Sequence, residues 1–226
     1  MEFATKPELA LAMLGRALDA GVPAGWVAAD EIYGQNAGLR LALEERGLPY
    51  VLAVPVNQYT IATLEGRIAQ ARVDAVSAAV PAEDWRRLSA GAGAKGPRLY
   101  DWAYLSQGAA APGWCRGLLI RRSPTKPEDV VYYLVHAPEG STLAQLARVA
   151  GTRWTIESCF EAAKSEVGLD QYEVRSWTGW HRHITLAMLA HAYLAVLRKA
   201  RSGAEDQHDL TAELLPLAVP EVRRLL

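Results

Sequence analysis

Two apolar runs joined by one helical segment constrain the fold of this chain more than any other feature. The first run, residues 26–29, ends abruptly in Asp30, and the second covers residues 50–56. Between them, residues 37–46 have helical spacing. A strand, a helix and a strand connected by short loops form a βαβ unit, which implies two buried strands paired in parallel. The sequence therefore predicts an α/β fold.

The acid at the end of the first strand is a candidate for chemistry. Adjacent strand residues point to opposite faces, so Asp30 and Glu31 cannot both serve one site. An acid at a strand end and an acid on a later helix can converge on Mg²⁺, which prefers carboxylate oxygens and keeps several waters. Two such ions would activate the attacking oxygen and stabilise the leaving oxygen in phosphodiester cleavage. The spacing leaves open the alternative that Asp30 only caps the next helix.

A second acid lies in the segment 153–164, which reads as one amphipathic helix. At about 100° per residue, Arg153, Glu157 and Lys164 lie within about 40° of one another around the axis. An apolar stripe runs beside them and is formed by Ile156, Phe160, Ala163 and Val167. Glu157 is thus expected at the boundary between core and solvent. The alternative is a solvated face with an Arg153–Glu157 pair worth a few tenths of a kcal/mol.

The remaining segments predict the domain organisation. Strand-like runs among Ala/Gly/Pro-rich stretches indicate a β-containing insertion apart from the α/β layer. Helices return at Thr142, with a break near Gly151, and again over about 179–199. The predicted parts are a partial core over 1–57, a β-rich insertion over 58–140, core and C-terminal helices over 141–201, and an acidic tail over 202–226.

Composition narrows the class of protein. Half of the 226 residues are apolar, 22% are charged and the net charge is −1, as in soluble globular proteins. Residues 95–126 hold six Lys/Arg against one Asp, a balance that can supply an electrostatic footprint for nucleic acid. Cys115 and Cys159 lack paired spacing, which favours a reducing compartment and excludes a disulfide or zinc pattern. Cys159 is interpreted as a small buried hydrophobic residue.

Several other classes are disfavoured. Residues 1–10 lack a signal-peptide core and the apolar run 184–197 is too short to span a bilayer, which predicts a cytoplasmic protein. No glycine-rich phosphate loop, G-x-S-x-G elbow or H-E-x-x-H motif is present. His181 and His183 lie about 200° apart on a helix and cannot share a metal, so they and His191 are interpreted as buried or interfacial side chains. A phosphatase is disfavoured because no D-x-D follows the first strand.

The chain resembles the DDE-superfamily transposases of bacterial insertion sequences over nearly its whole length. The segments that carry the resemblance are 26–34 (WVAADEIYG), 49–54 (PYVLAV), 153–157 (RWTIE), 164–172 (KSEVGLDQY) and 181–191 (HRHITLAMLAH). The resemblance implies a ribonuclease H-like (integrase-like) fold with a β-rich insertion. It also implies DNA transposition by endonuclease and strand-transfer steps, with a DDE triad binding two Mg²⁺ or Mn²⁺ ions at transposon-end DNA. The implied protein partner is a second copy of the chain, forming a homodimer, or a full-length transposase. When it is bound to DNA, the protein would be associated with the nucleoid.

The resemblance also assigns roles to individual residues. Asp30 matches the second acid of the triad and Glu157 the third, both as catalytic metal ligands. Arg153 and Lys164 match the Arg and Lys of a Y-x2-R-x3-E-x6-K signature, which contact DNA phosphates. The tyrosine position of that signature is Ala150, so one contact to the DNA backbone is not expected.

The first acid of the triad has no counterpart in residues 1–29, where Asp19 lies inside a helical pattern. The chain is therefore expected to correspond to the C-terminal part of a transposase, with the fold incomplete at its N-terminus. Residues 26–30 would then be an exposed sheet edge, and strand transfer by this polypeptide alone would be weak or absent. The alternative is a non-catalytic fragment that binds transposon DNA or interferes with a full-length transposase.

Overall fold

The structure is a computed structural model in which the described residues are 3–64, 67–93, 96–173 and 175–205. The chain divides into two compact units, Met1–Arg153 and Trp154–Leu226, and each is described by itself. Residues 206–226 of the predicted acidic tail lie outside the described residues. Within the described ranges, none of the helices combines the length and apolarity that crossing a bilayer requires.

Helices and strands alternate at the start of the chain and separate later. The described helices are α1 (Lys6–Asp19), α2 (Glu31–Gly34), α3 (Ala37–Glu45), α4 (Val73–Ala78), α5 (Leu143–Thr152), α6 (Trp154–Val167) and α7 (Trp177–Glu205). The described strands are β1 (Val27–Ala29), β2 (Tyr50–Val54), β3 (Tyr59–Leu64), β4 (Arg67–Arg72), β5 (Arg86–Gly93), β6 (Gly96–Ala111), β7 (Trp114–Arg122) and β8 (Val130–Pro138).

The first unit is built on a mixed sheet with the order β1-β2-β8-β7-β6-β5 among the described residues. The strands β1 and β2 are parallel, with Ala29 opposite Leu52, as predicted from the βαβ pattern. The remaining neighbours are antiparallel, and β3 and β4 form a separate hairpin. The α/β architecture is thus as expected.

The strands of segment 58–140 differ from the expectation that they would lie apart from the α/β layer. Four of them, β5 to β8, extend the sheet that β1 and β2 begin. The link is the pairing of β2 with β8, in which Val54 lies opposite Tyr132. This pairing gives the buried strand β2 hydrogen-bond partners on both sides, which a fully buried strand requires.

Different elements cover the two faces of the sheet. Helix α5 packs on one face, called here the α5 face, whose buried residues include Val51, Trp102, Leu119 and Tyr133 together with Leu146 and Ala150 of the helix. Helices α1 and α3 cover the opposite face of β1 and β2. The β3–β4 hairpin and α4 cover the opposite face of β7 and β8. Both faces of the central strands are therefore buried.

Two glycines allow helices to approach the sheet closely. A Cβ on Gly34 of α2 would lie 1.9 Å from the carbonyl oxygen of Ala53 in β2, and a Cβ on Gly151 of α5 would lie 1.8 Å from that of Ala90 in β5. Neither distance is compatible with a side chain. The two glycines thus fix where α2 and the end of α5 sit on the sheet. Gly151 lies inside α5 and does not break it; the break comes at Arg153.

The strand β1 stands at the margin of the sheet. Its inner side pairs with β2, and the sheet order places no strand on its outer side among the described residues. This agrees with the expected exposed edge at residues 26–30. The outer backbone groups of β1 are consequently open to pairing with a further strand.

The described part of the second unit consists of α6 and α7. Ala163 of α6 is buried, and Val167 of α6 and Leu197 of α7 both pack on the buried Leu194 of α7. Gly168, with φ +66°, follows the last residue of α6 and ends the helix. The two remaining residues of the predicted apolar stripe, Ile156 and Phe160, are exposed.

The contacts between α6 and α7 explain this difference. Apolar packing is confined to the C-terminal half of α6, so the predicted core stripe was wrong at its N-terminal end. The expectation of a buried Cys159 was also wrong: this side chain is exposed and its sulfur lies 3.4 Å from Nε2 of His191.

Candidate functional site

The carboxyl ends of three strands meet at one end of the sheet. Val54 ends β2 opposite Tyr132, near the start of β8, and Arg122 ends β7 opposite Val130, the first residue of β8. Because β1 and β2 are parallel, Asp30 follows β1 at this same end. We call this region the carboxyl end of the sheet.

Asp30 is held by the first turn of α2. Its backbone is extended, with φ −81° and ψ −177°, and its Oδ1 accepts a hydrogen bond of 3.1 Å from the backbone N–H of Ile32. Ala28 packs on the α5 face, so Asp30, two residues later in extended backbone, has its Cβ on that face as well. The capping role that the sequence left open is therefore real, and it occupies one of the two carboxylate oxygens.

Arg153 lies at the end of α5 and belongs to the first unit. It was predicted as the first residue of the following helix, but it caps α5 with a helical backbone, and α6 begins at Trp154. The end of α5 is anchored by Arg98, whose Nη2 donates to the carbonyl oxygens of Ala90 (3.0 Å) and Gly151 (3.1 Å).

Glu157 and Lys164 lie on α6 in the second unit, and both are exposed. They are seven residues apart, which is about 20° short of two full helical turns, so they share one face as predicted. The structure thus brings Glu157 and Lys164 together on one helix face, and it assigns Asp30 and Arg153 to the sheet unit. Ala150, at the tyrosine position of the expected signature, is buried against the sheet.

A cation on the α5 face was missed by the sequence reasoning. Arg121, near the end of β7, has its guanidinium carbon 4.4 Å from the ring centroid of Tyr100 on the neighbouring strand. Burial raises the pKa of Tyr133, and the positive charges of Arg121 and Arg153 oppose that rise, which places both cations near this phenol. The available signal was the pair of arginines that ends the apolar run 118–120, just as Asp30 ends residues 26–29.

The donor chemistry of Asp30 fits a divalent cation. The Asp30 side chain is a partly buried carboxylate at a strand end. In proteins, Mg²⁺ is commonly bound by one or two such carboxylates and keeps several water ligands. Among the described residues, no group of three or more His, Cys, Asp or Glu side chains is placed to hold a metal ion.

The histidines considered in the sequence have structural contacts. His183 lies 3.0 Å from the carbonyl oxygen of Gly168 through Nε2, and His191 contacts Cys159. The ring of His181 packs edge-on against Trp177. His183 and His191 are half-buried, whereas His181 is exposed, so the structure does not bury all three side chains.

Comparison with known proteins bears on the first part of the chain. Residues 1–84 match the family model described as DDE superfamily endonuclease. The matched segment contains Asp30, β1 and β2, and it ends before β5; Arg153, Glu157 and Lys164 lie outside it. No curated protein matches the chain. The N-terminal 84 residues are therefore similar to DDE superfamily endonucleases, which suggests a nuclease of the transposase type that acts on DNA.

Proposed function

We propose that this chain is the catalytic-domain portion of a DDE-type DNA transposase of a bacterial insertion sequence, with a ribonuclease H-like fold. The observation that carries the proposal is the position of Asp30 at the carboxyl end of β1, inside the segment that matches DDE superfamily endonucleases. The substrate is DNA at the ends of the element. The reaction is phosphoryl transfer, first by hydrolysis and then by attack of the freed 3′ hydroxyl.

Each matched residue has a role in this proposal. Asp30 and Glu157 hold divalent metal, and Arg153 and Lys164 bind phosphates beside the scissile bond. Mg²⁺ or Mn²⁺, when bound, supplies charge stabilisation for the attacking and leaving oxygens. The cap contact of Asp30 uses Oδ1, so Oδ2 is the atom offered to a metal ion. The two cationic side chains would hold the DNA backbone in register with the carboxylates.

The 226-residue polypeptide offers two of the three acids of a DDE triad. Asp19, the Asp nearest the start of the chain, ends α1 and forms a 2.9 Å ion pair with Arg46. It is not at a strand end. We therefore expect the purified polypeptide alone to show little or no cleavage or strand transfer, and we keep as the second candidate a DNA-binding fragment that interferes with an active transposase or pairs with it.

Calorimetric titration with Mn²⁺ tests the proposed metal ligands. The full chain is compared with Asp30→Asn, which keeps the helix cap because Asn caps as well as Asp, and with Glu157→Gln. The matched control is Glu31→Gln, which removes an adjacent exposed carboxylate from the same helix turn. We expect Mn²⁺ binding to be lost in the first two variants and retained in the control. Equal, negligible binding by all four proteins would refute the metal site and leave the DNA-binding alternative.

A further inference from the structure

Among the described residues of the first unit, Arg121 is a cation without an ion-pair partner. Its guanidinium lies over the ring of Tyr100, its side chain is half-buried, and its Nε is buried without a hydrogen-bond partner. No ion pair involves Arg121 among the residues that the structure describes. Buried polar groups in native proteins are nearly always satisfied, so such an atom calls for a ligand or solvent partner.

The neighbouring arginine provides a contrast on the same strand. Adjacent strand residues point to opposite faces, so Arg122 lies on the face opposite Arg121. There its guanidinium stacks on Trp85 at 3.9 Å and lies 3.7 Å from Asp101. Asp101 also forms a two-point pair with Arg87. Arg122 thus has a carboxylate partner within the protein. Arg121 has no such partner among the described residues.

Arg121 and Asp30 share a face and an end of the sheet. Both lie on the α5 face at the carboxyl end, on strands separated by β2 and β8. Three strand spacings and two residues of rise correspond to about 16 Å between their Cα atoms. That span equals roughly five nucleotides along one strand of duplex DNA, which rises about 3.4 Å per nucleotide. A strand cleaved at Asp30 can therefore pass over Arg121.

We propose that Arg121, held over the ring of Tyr100, binds a backbone phosphate of the DNA strand that enters the site at Asp30, a few nucleotides from the reacting bond. The inference rests on the proposed function. A guanidinium suits this role because its planar N–H groups can donate two parallel hydrogen bonds to one phosphate. Contact with the phenol ring restrains the guanidinium before DNA arrives, which lowers the entropy lost on binding. Arg121 is a positioning residue and takes no part in proton or phosphoryl transfer.

DNA binding by the full chain, measured by fluorescence anisotropy across a range of salt concentrations, tests the proposal. Neutralising one phosphate changes the slope of log K against log salt by about 0.9 for duplex DNA. We expect Arg121→Gln to reduce the slope by about that amount and affinity by about tenfold. Arg122→Gln, the matched control, removes the same charge from the opposite face and should leave the slope unchanged. Equal losses in both variants would overturn the proposal.

Two additional measurements separate the possible failures. Arg121→Lys keeps the charge but not the planar guanidinium; we expect it to retain the slope and lose several-fold in affinity. If Arg121→Gln does not fold, wild-type affinity of the Lys variant overturns the proposal. Thermal stabilisation by inorganic phosphate, corrected with Arg122→Gln for general salt effects, should require Arg121. Phosphate stabilisation through Arg121 without DNA binding by the wild type would refute the proposed function while sustaining the anion site.

Discussion

Replacing Gly34 by Ala perturbs the contact that positions the candidate metal ligand. Gly34 is the last residue of α2, the short helix that Asp30 caps. A Cβ at this position would lie 1.9 Å from the carbonyl oxygen of Ala53 and 3.1 Å from Cβ of Leu52. Both contacts belong to β2, whose backbone is fixed by pairing on both sides. The helix, and not the strand, must therefore move.

The size of the effect follows from these distances. Real Cβ contacts are essentially never shorter than 3.0 Å, so α2 has to shift by roughly 1.1 Å, the difference between 3.0 and 1.9 Å. Overpacking of a buried contact costs about 1–3 kcal/mol. Ala gains up to about 1 kcal/mol over Gly in a helix, but that gain applies only where the side chain has room. We predict a net loss of about 1–3 kcal/mol for Gly34→Ala.

The assay must report on the first unit alone, because two compact units need not unfold together. Urea unfolding gives such a readout when it is monitored by the amide hydrogen exchange of a peptide that covers β2. The matched control is Gly15→Ala in α1, where the nearest atom to a new Cβ is 3.5 Å away. We expect the control to stabilise β2 slightly or leave it unchanged. Equal stability of the two variants would refute the close-approach argument.

Three further predictions concern the same unit. Asp30→Ala should lower stability by about 0.5–2 kcal/mol through loss of the helix cap, whereas Asp30→Asn should stay within a few tenths, as urea unfolding can measure. Arg98→Ala removes the side chain that bridges the backbone carbonyls of β5 and α5; we expect a loss of about 1–3 kcal/mol and faster amide exchange at the end of α5. Burial raises the pKa of Glu44, but hydrogen bonds from Arg116 and Tyr50 outweigh it and hold that pKa below its ordinary value. The stability that ionised Glu44 contributes is present above its unfolded pKa of about 4.3 and is lost as the pH falls below that value. Glu44→Gln should therefore make the free energy of unfolding less dependent on pH in that window.

The parts of the fold that local patterning encodes were predictable. The strand β1, the helix α3 and the strand β2 follow from apolar runs and helical spacing, because a parallel strand pair buried on both faces leaves little freedom in composition. Asp30 was identified for the same reason, because a charged residue directly after a buried strand indicates where the chain leaves the core.

Long-range pairing was not predictable from such patterns. The extension of the sheet from β2 to β8 joins segments about eighty residues apart, and no local signal specifies it. The exposure of Ile156 and Phe160 had the same origin: helical spacing shows which residues share a face, but not how much of that face a partner helix covers. Arg121 became a candidate only because Tyr100 lies beside it, and that contact depends on the pairing of β6 with β7.

The expected domain parts remain predictions. The compact units divide at Arg153, whereas the expected parts divide at residues 57, 140 and 201. The pairing of β2 with β8 places strands of the first two expected parts in one sheet. The position of Glu157 relative to Asp30 is accordingly the point on which the proposed function turns.

Iron-directed backbone cleavage measures that relation directly. Fe²⁺ can replace Mg²⁺ at oxygen ligands, and with ascorbate and peroxide it generates radicals that cut the chain only near the bound ion. We predict two clusters of cuts in the full chain, one around Asp30 and one around Glu157. Excess Mg²⁺ should suppress both clusters, and Asp30→Asn should abolish both. Cuts at only one of the two positions, or persistence of the second cluster in the Asn variant, would contradict a shared metal site.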